Sequence, residues 1–169
     1  DIEEEDVILQ EGVLIQVPRE PDGATWIGET GYFATANEGD LDGGSRGFSI
    51  FEASTGNLIY DSGNEMELEA VRVGHYPENR SENKGNEPEN VLYAEAKGEK
   101  YLFVCSERSN LVFVYDVEDP TSPVLTQTLP VGVGPEGLAF IEHMNVLAVA
   151  SEKDDRDEKF RSSIALFEL

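Results

Sequence analysis

Apolar residues recur at every second position in short runs along the chain, and Gly, Asp, Asn and Pro separate the runs. A period of two places alternate side chains on opposite faces of an extended backbone, so each run reads as a strand. The pattern predicts twelve: Val13–Val17, Thr25–Ile27, Gly31–Ala36, Gly47–Glu52, Asn57–Tyr60, Val91–Ala96, Lys100–Ser106, Leu111–Val117, Val124–Leu129, Leu138–Ile141, Val146–Ser151 and Ser163–Leu169. Val, Ile, Phe and Tyr dominate them, the residues that fit a pleated surface. Lys97-Gly98 and Ser54-Thr55-Gly56 read as hairpin turns. A helical period is nearly absent; Glu65–Val73 is the one candidate.

The runs repeat as a group. PDGATWIGETGYFATANEG from Pro21, PENVLYAEAKGEKYLFVCSER from Pro88 and PEGLAFIEHMNVLAVASEK from Pro135 each open on Pro and an acid and continue through two strands. Each then reaches a glutamate, Glu38, Glu107 or Glu152, at a nearly constant distance from its Pro. A third strand follows every time (GFSIFEA, NLVFVYDV, SSIALFEL), and a fourth twice (NLIYDSG, PVLTQTLP). Four antiparallel strands recurring as a unit are the signature of a β-propeller blade.

The predicted fold is therefore all-β: about three blades of four-stranded antiparallel sheets, read as part of a larger propeller because rings usually hold about four to eight. Residues 1–20 read as the outer strand of a preceding or closing blade, 21–63 as a blade, 64–90 as an inter-blade loop, 91–133 as a second blade and 134–169 as the last. Trp26, Phe33, Phe48, Tyr93, Phe103, Phe113, Phe140, Leu147 and Leu166 are expected to pack between blades. Long inter-blade loops lie on one face and carry function. Pro77–Asn90 is expected to fold over the mouth of the central channel without secondary structure of its own.

Charge narrows the partners. In 169 residues there are 35 acidic and 12 basic side chains, a net charge of −23, which excludes nucleic acid, whose phosphates need clustered Lys and Arg. It argues equally against an anionic bilayer. No run of 18 apolar residues offers a spanning helix. The chain opens on Asp-Ile-Glu-Glu-Glu-Asp without Met and reads as a mature or partial chain. Its single cysteine, Cys105, excludes an internal disulfide and reads as a buried, inert thiol.

The repeat brings acids to equivalent places. Asp22, Glu89 and Glu136 open innermost strands, and Glu38, Glu107 and Glu152 end the antiparallel strands beside them, so both sets are expected at one mouth of the channel. Oxygen ligands suit calcium, the expected cofactor, with Glu38, Glu89, Glu107, Glu136 and Glu152 as ligands. Asn37, Glu38, Asp40 and Asp42 in NEGDLDGG offer a local calcium loop, without the distal bidentate Glu of an EF-hand. Arg80, Lys84 and Arg108 are candidate basic groups at the mouth. The plainer reading keeps Pro-Glu-Gly as a turn whose Glu bonds backbone amides.

TANEGD, LIYDSG, RSENKGNEPENV, VYDVEDP and GPEGLAFI, in that order, resemble the choice-of-anchor I domain proteins. These include mesenchyme-specific cell-surface glycoproteins and alkaline-phosphatase-like proteins of marine microbes. The resemblance implies a secreted or surface-anchored propeller. Asn79-Arg80-Ser81 is a glycosylation sequon in the long loop, in keeping with secretion.

No Gly-x-Ser-x-Gly elbow and no His-Glu-x-x-His is present; His75 sits in a polar loop and His143 in a turn. The leading reading is a non-catalytic extracellular or cell-surface module for adhesion, matrix or surface assembly, using calcium structurally. Its partners are other protein chains or further blades of the same protein. A second reading is a calcium-dependent phosphoesterase in which Arg80 or Lys84 grips phosphate. A third is an accessory subunit of a larger complex.

Overall fold

A computed structural model describes residues 18–39, 44–155, 157, 159 and 161–169. The predicted strand Val13–Val17 lies outside the described residues. The other eleven are present: β1 Pro21–Trp26, β2 Tyr32–Asn37, β3 Phe48–Glu52, β4 Leu58–Asp61, β5 Pro88–Ala96, β6 Glu99–Ser106, β7 Leu111–Asp116, β8 Val124–Pro130, β9 Pro135–Ile141, β10 Val146–Ser151 and β11 Ser163–Glu168. They form three sheets of sequential antiparallel neighbours, β1-β2-β3-β4, β5-β6-β7-β8 and β9-β10-β11. The architecture is all-β with little helix.

The innermost strands start earlier than the alternation suggests. Pro21, Pro88 and Pro135 already pair, with Asn37, Ser106 and Ser151. A register shift follows each proline, so a bulge interrupts the period-two pattern and hides the first strand residues from it.

The sheets stack through β1, β5 and β9, which are neighbours in space. Between the first and second sheets lie Ala34, Ala36, Phe48 and Ile50 against Leu102, Val104, Phe113 and Tyr115. Phe48 meets Tyr115 edge-on, with centroids 4.6 Å apart. Between the second and third lie Phe103, Cys105 and Val112 against Leu147 and Val149, with Phe140 and Phe167 packed alongside. Three expected inter-blade residues do not pack between sheets: Trp26 is 61% exposed, Leu166 65%, and Phe33, half-buried, meets only Trp26 and Phe51 of its own sheet among the aromatic rings. All three stand on the outer faces of the end sheets, where no described sheet covers them.

The segment 64–90 holds structure of its own. Helix α1, Glu65–Arg72, spaces Met66 and Ala70 four residues apart and buries both in the first core. Glu65 and Glu67 in its first turn and Arg72 in its last suit the helix dipole. A single 3-10 turn covers Glu78–Arg80, and β5 begins at Pro88. The expectation that Pro77–Asn90 has no secondary structure is thus corrected: local i→i+3 bonds claim residues 78–80, and the long innermost strand claims 88–90.

Candidate functional site

Register places the acids. Each innermost strand has its acid directly after the paired Pro, and each second strand has its Glu directly after the paired Asn or Ser. The open end of every hairpin therefore carries two carboxylates. Because the three innermost strands are neighbours, those ends converge. Two triads result: Glu38, Glu87 and Glu89, and Glu107, Glu136 and Glu152, with one carboxylate oxygen from each member lying within 4.8 Å of the others in its triad.

Two members of the first triad, Glu38 and Glu87, are already met by cations. Lys84 Nζ donates to Glu38 Oε1 at 2.8 Å and to Glu87 Oε1 at 2.9 Å. Arg80 Nη2 reaches Glu87 Oε2 at 3.0 Å, and Arg108 Nε reaches the same oxygen at 2.7 Å. Burial of Glu87, 1% exposed, opposes its ionised form, but the bonds from Lys84 and Arg108 outweigh that and hold its carboxyl below the usual range. Arg108 also pairs with Glu107 at 2.5 Å and so links the two triads.

Glu89, the remaining member of the first triad, and Glu136 of the second are less well compensated. Burial, then the charges of Glu38, Glu107 and Asp22, push Glu89 up to about 8, and it shares a hydrogen bond with Glu107. Burial also raises Glu107 and Glu136, with the Glu152 charge adding to both.

The loop that supplies Arg80 and Lys84 is held by specific bonds. Arg46 Nη1 donates to the Ser81 carbonyl at 2.9 Å and pairs with Glu67 at 3.3 Å. The Glu107 amide donates to the Glu87 carbonyl at 2.9 Å, and Ser106 Oγ bonds the Asn86 carbonyl. Lys84, Gly85 and Glu87 all have positive φ, a left-handed backbone that is unfavourable for Lys and Glu, and the Lys84 and Glu87 side chains meet at 2.9 Å.

Of the residues expected at a channel mouth, Glu38, Glu89, Glu107, Glu136 and Glu152 belong to the two triads, and Arg80, Lys84 and Arg108 bond to triad members. Sequence reasoning missed Glu87, which takes three cations. The available signal was its position three residues after Lys84. Asn37 is committed elsewhere: its Nδ2 donates to Ser45 and Ser49, and its Oδ1 accepts from Thr35. Asp40 and Asp42 lie outside the described residues. Asn79 is exposed in the 3-10 turn, and Ser81 Oγ donates to Tyr76 Oη at 3.1 Å. The His75 ring Nδ1 stands 3.0 Å from the Ser109 carbonyl, away from the triads.

Fold and site define a class: stacked antiparallel sheets whose innermost hairpins converge on a shared set of carboxylates. Residues 41–120 match the choice-of-anchor I domain family, so the resemblance seen in the motifs holds for that segment. Comparison with curated proteins returned no match.

Proposed function

We propose that this chain is a non-catalytic module of a surface-associated or extracellular protein. It serves adhesion, matrix or surface assembly, and its carboxylate mouth holds calcium as a structural ion. The choice-of-anchor I match over residues 41–120 supports the surface association. The observation that carries the calcium reading is the convergence of six glutamates in two triads, all oxygen donors, with Lys84, Arg80 and Arg108 bonded to Glu38, Glu87 and Glu107 while burial and neighbouring acids raise Glu89 and Glu136. The sheets fit blades of a β-propeller, with the mouth at one end of its channel. Asn79 is the glycan acceptor this setting calls for.

The phosphoesterase reading is less well supported. Arg80 and Lys84, the groups that would grip a phosphate, are spent on Glu87 and Glu38. Cys105 offers no alternative nucleophile: burial, outweighing the backbone bond near Asn90, pushes its thiol up to about 12.

Calcium titration of the intact chain tests the proposal. Binding is expected in the range of extracellular modules, about 10⁻⁴–10⁻³ M. Saturation at a hundred times Kd adds about 2.7 kcal/mol of stability, and chelator removes it. No binding heat and an unchanged Tm at saturating calcium would overturn the metal reading. Turnover of a generic phosphate ester that chelation abolishes would overturn the non-catalytic one.

A further inference from the structure

One residue after each innermost acid, the three repeats differ. The sequence reads Pro-Asp-Gly at 21–23, Pro-Glu-Asn at 88–90 and Pro-Glu-Gly at 135–137, so the middle repeat alone carries a side chain at this place, Asn90. The acids before it are bulged. Glu89 falls between the paired Pro88 and Asn90, and Glu136 between the paired Pro135 and Gly137. A bulge sets its residue outside the regular ladder and re-aims its side chain. What holds these two backbones at the mouth has to come from elsewhere.

Asn90 reaches both neighbouring strands. Its Nδ2 donates to the Glu136 carbonyl at 3.0 Å, across from β5 to β9, and the Cys105 thiol points to the same oxygen at 3.7 Å. Its Oδ1 accepts from the Val91 amide at 2.8 Å. The two bonds need one donor and one acceptor, and their partners fix which way the amide faces. On its other side Asn90 lies against β1. A Cβ on Gly23 would stand 2.8 Å from Asn90 Cα and Oδ1 and 2.9 Å from the Glu89 carbonyl, so only glycine admits β5 this close. Like-charge repulsion works to drive these strand ends apart: burial first, and then charges that include that of Asp22, raise both Glu89 and Glu136. The Asn90 bond to the Glu136 backbone opposes that separation.

We propose that Asn90 is the positioning residue of the carboxylate mouth. Its side chain pins the second innermost strand to the third, with Gly23 making room on the first, and so fixes where the Glu89 and Glu136 carboxylates stand for calcium. This role rests on the calcium reading above. Asn90 acts through the two acids and not as a ligand, since its Oδ1 is turned to the Val91 amide.

Calcium titration of the intact chain, followed through the rise in Tm, is to be compared with Asn90→Ala, Asn90→Asp and Gly23→Ala, with circular dichroism checking that each variant folds. Loss of an outer partner of a metal site typically weakens binding about 10- to 100-fold, and Asn90→Ala is expected in that range. Asn90→Asp is the discriminating variant. It keeps an acceptor for Val91 and adds a negative oxygen at a cation site, but it has no donor for the Glu136 carbonyl. A positioning role predicts weaker binding in spite of the added charge, whereas a ligand role predicts tighter binding. Gly23→Ala changes neither an acid nor Asn90 and is expected to weaken binding by crowding the pin. Unchanged affinity in Asn90→Ala, or tighter binding by Asn90→Asp, overturns the inference and leaves the calcium reading standing. An unaltered chain that binds no calcium overturns both, and that result is read before any variant is made.

Discussion

Glu87 and Glu89 are two residues apart and face opposite electrostatic problems. Glu87 is buried among three cations, and its bonds to Lys84 and Arg108 favour ionisation. Removing one partner of a buried ion pair leaves uncompensated charge and typically costs about 3–5 kcal/mol. Glu87→Gln is therefore expected to destabilise the chain by about that much, measured by urea unfolding; a loss below about 1 kcal/mol would mean the pairs are solvent-screened. Glu89 is the reverse case, an acid whose folded form is favoured protonated. Its stabilising contribution is complete below its unfolded value near 4.5 and disappears as pH rises to about 8. In chelator, Tm should fall across that window, and Glu89→Gln, neutral at every pH, should fall less. Near pH 8 each kcal/mol spared is worth about 2–4 °C. A variant that tracks the unaltered chain at all pH values would refute the assignment. Glu89 was legible in the sequence because the repeat aligns it with Asp22 and Glu136. Glu87 aligns with Glu20 and Gly134, the residues before Pro21 and Pro135, and all three take the same left-handed turn; its role arises from Lys84, Arg80 and Arg108, cations that the other two repeats do not place there and that no local pattern announces.

At the scale of elements, β-branched and aromatic alternation gave away the strands, and Glu65–Val73, the one helical candidate, is α1 in the structure. The bulges after Pro21, Pro88 and Pro135 broke the alternation, so strand starts were lost. The loop 74–87 was legible only as a position, since its order comes from tertiary bonds. Its pivot is Gly85: at its positive φ a side chain is strained, and an added Cβ would meet Glu67 Oε1 and Arg46 Nη1, the ion pair on which the loop rests. Gly85→Ala is expected to displace that pair and swing Lys84 away from Glu38. Limited proteolysis should then cut within 77–87 several times faster than in the unaltered chain, while the sheets remain intact by circular dichroism. Unchanged cleavage would show that the loop is not held by this contact.

For the whole molecule, the sequence could not distinguish covered from uncovered sheet faces. Trp26 and Leu166 have the same residue character and register as better covered counterparts, Tyr93 and Ile50 among them. What differs is the presence of a neighbouring sheet, which no local pattern encodes. The same repetition predicts how the molecule unfolds. The second sheet shares one core with the first through Tyr115 and another with the third through Phe103. No sheet is able to leave without exposing a core to water, so one cooperative transition is expected. Phe103 is fully buried, and Phe103→Ala should cost about 3–5 kcal/mol. At about 2–4 °C per kcal/mol, that lowers Tm by roughly 10 °C. Phe48→Ala, in the other core, should lower the same single transition by a similar amount. Calorimetry decides the matter: a second transition appearing in either variant would mean that the sheets melt independently and that the middle sheet does not join the two cores into one unit.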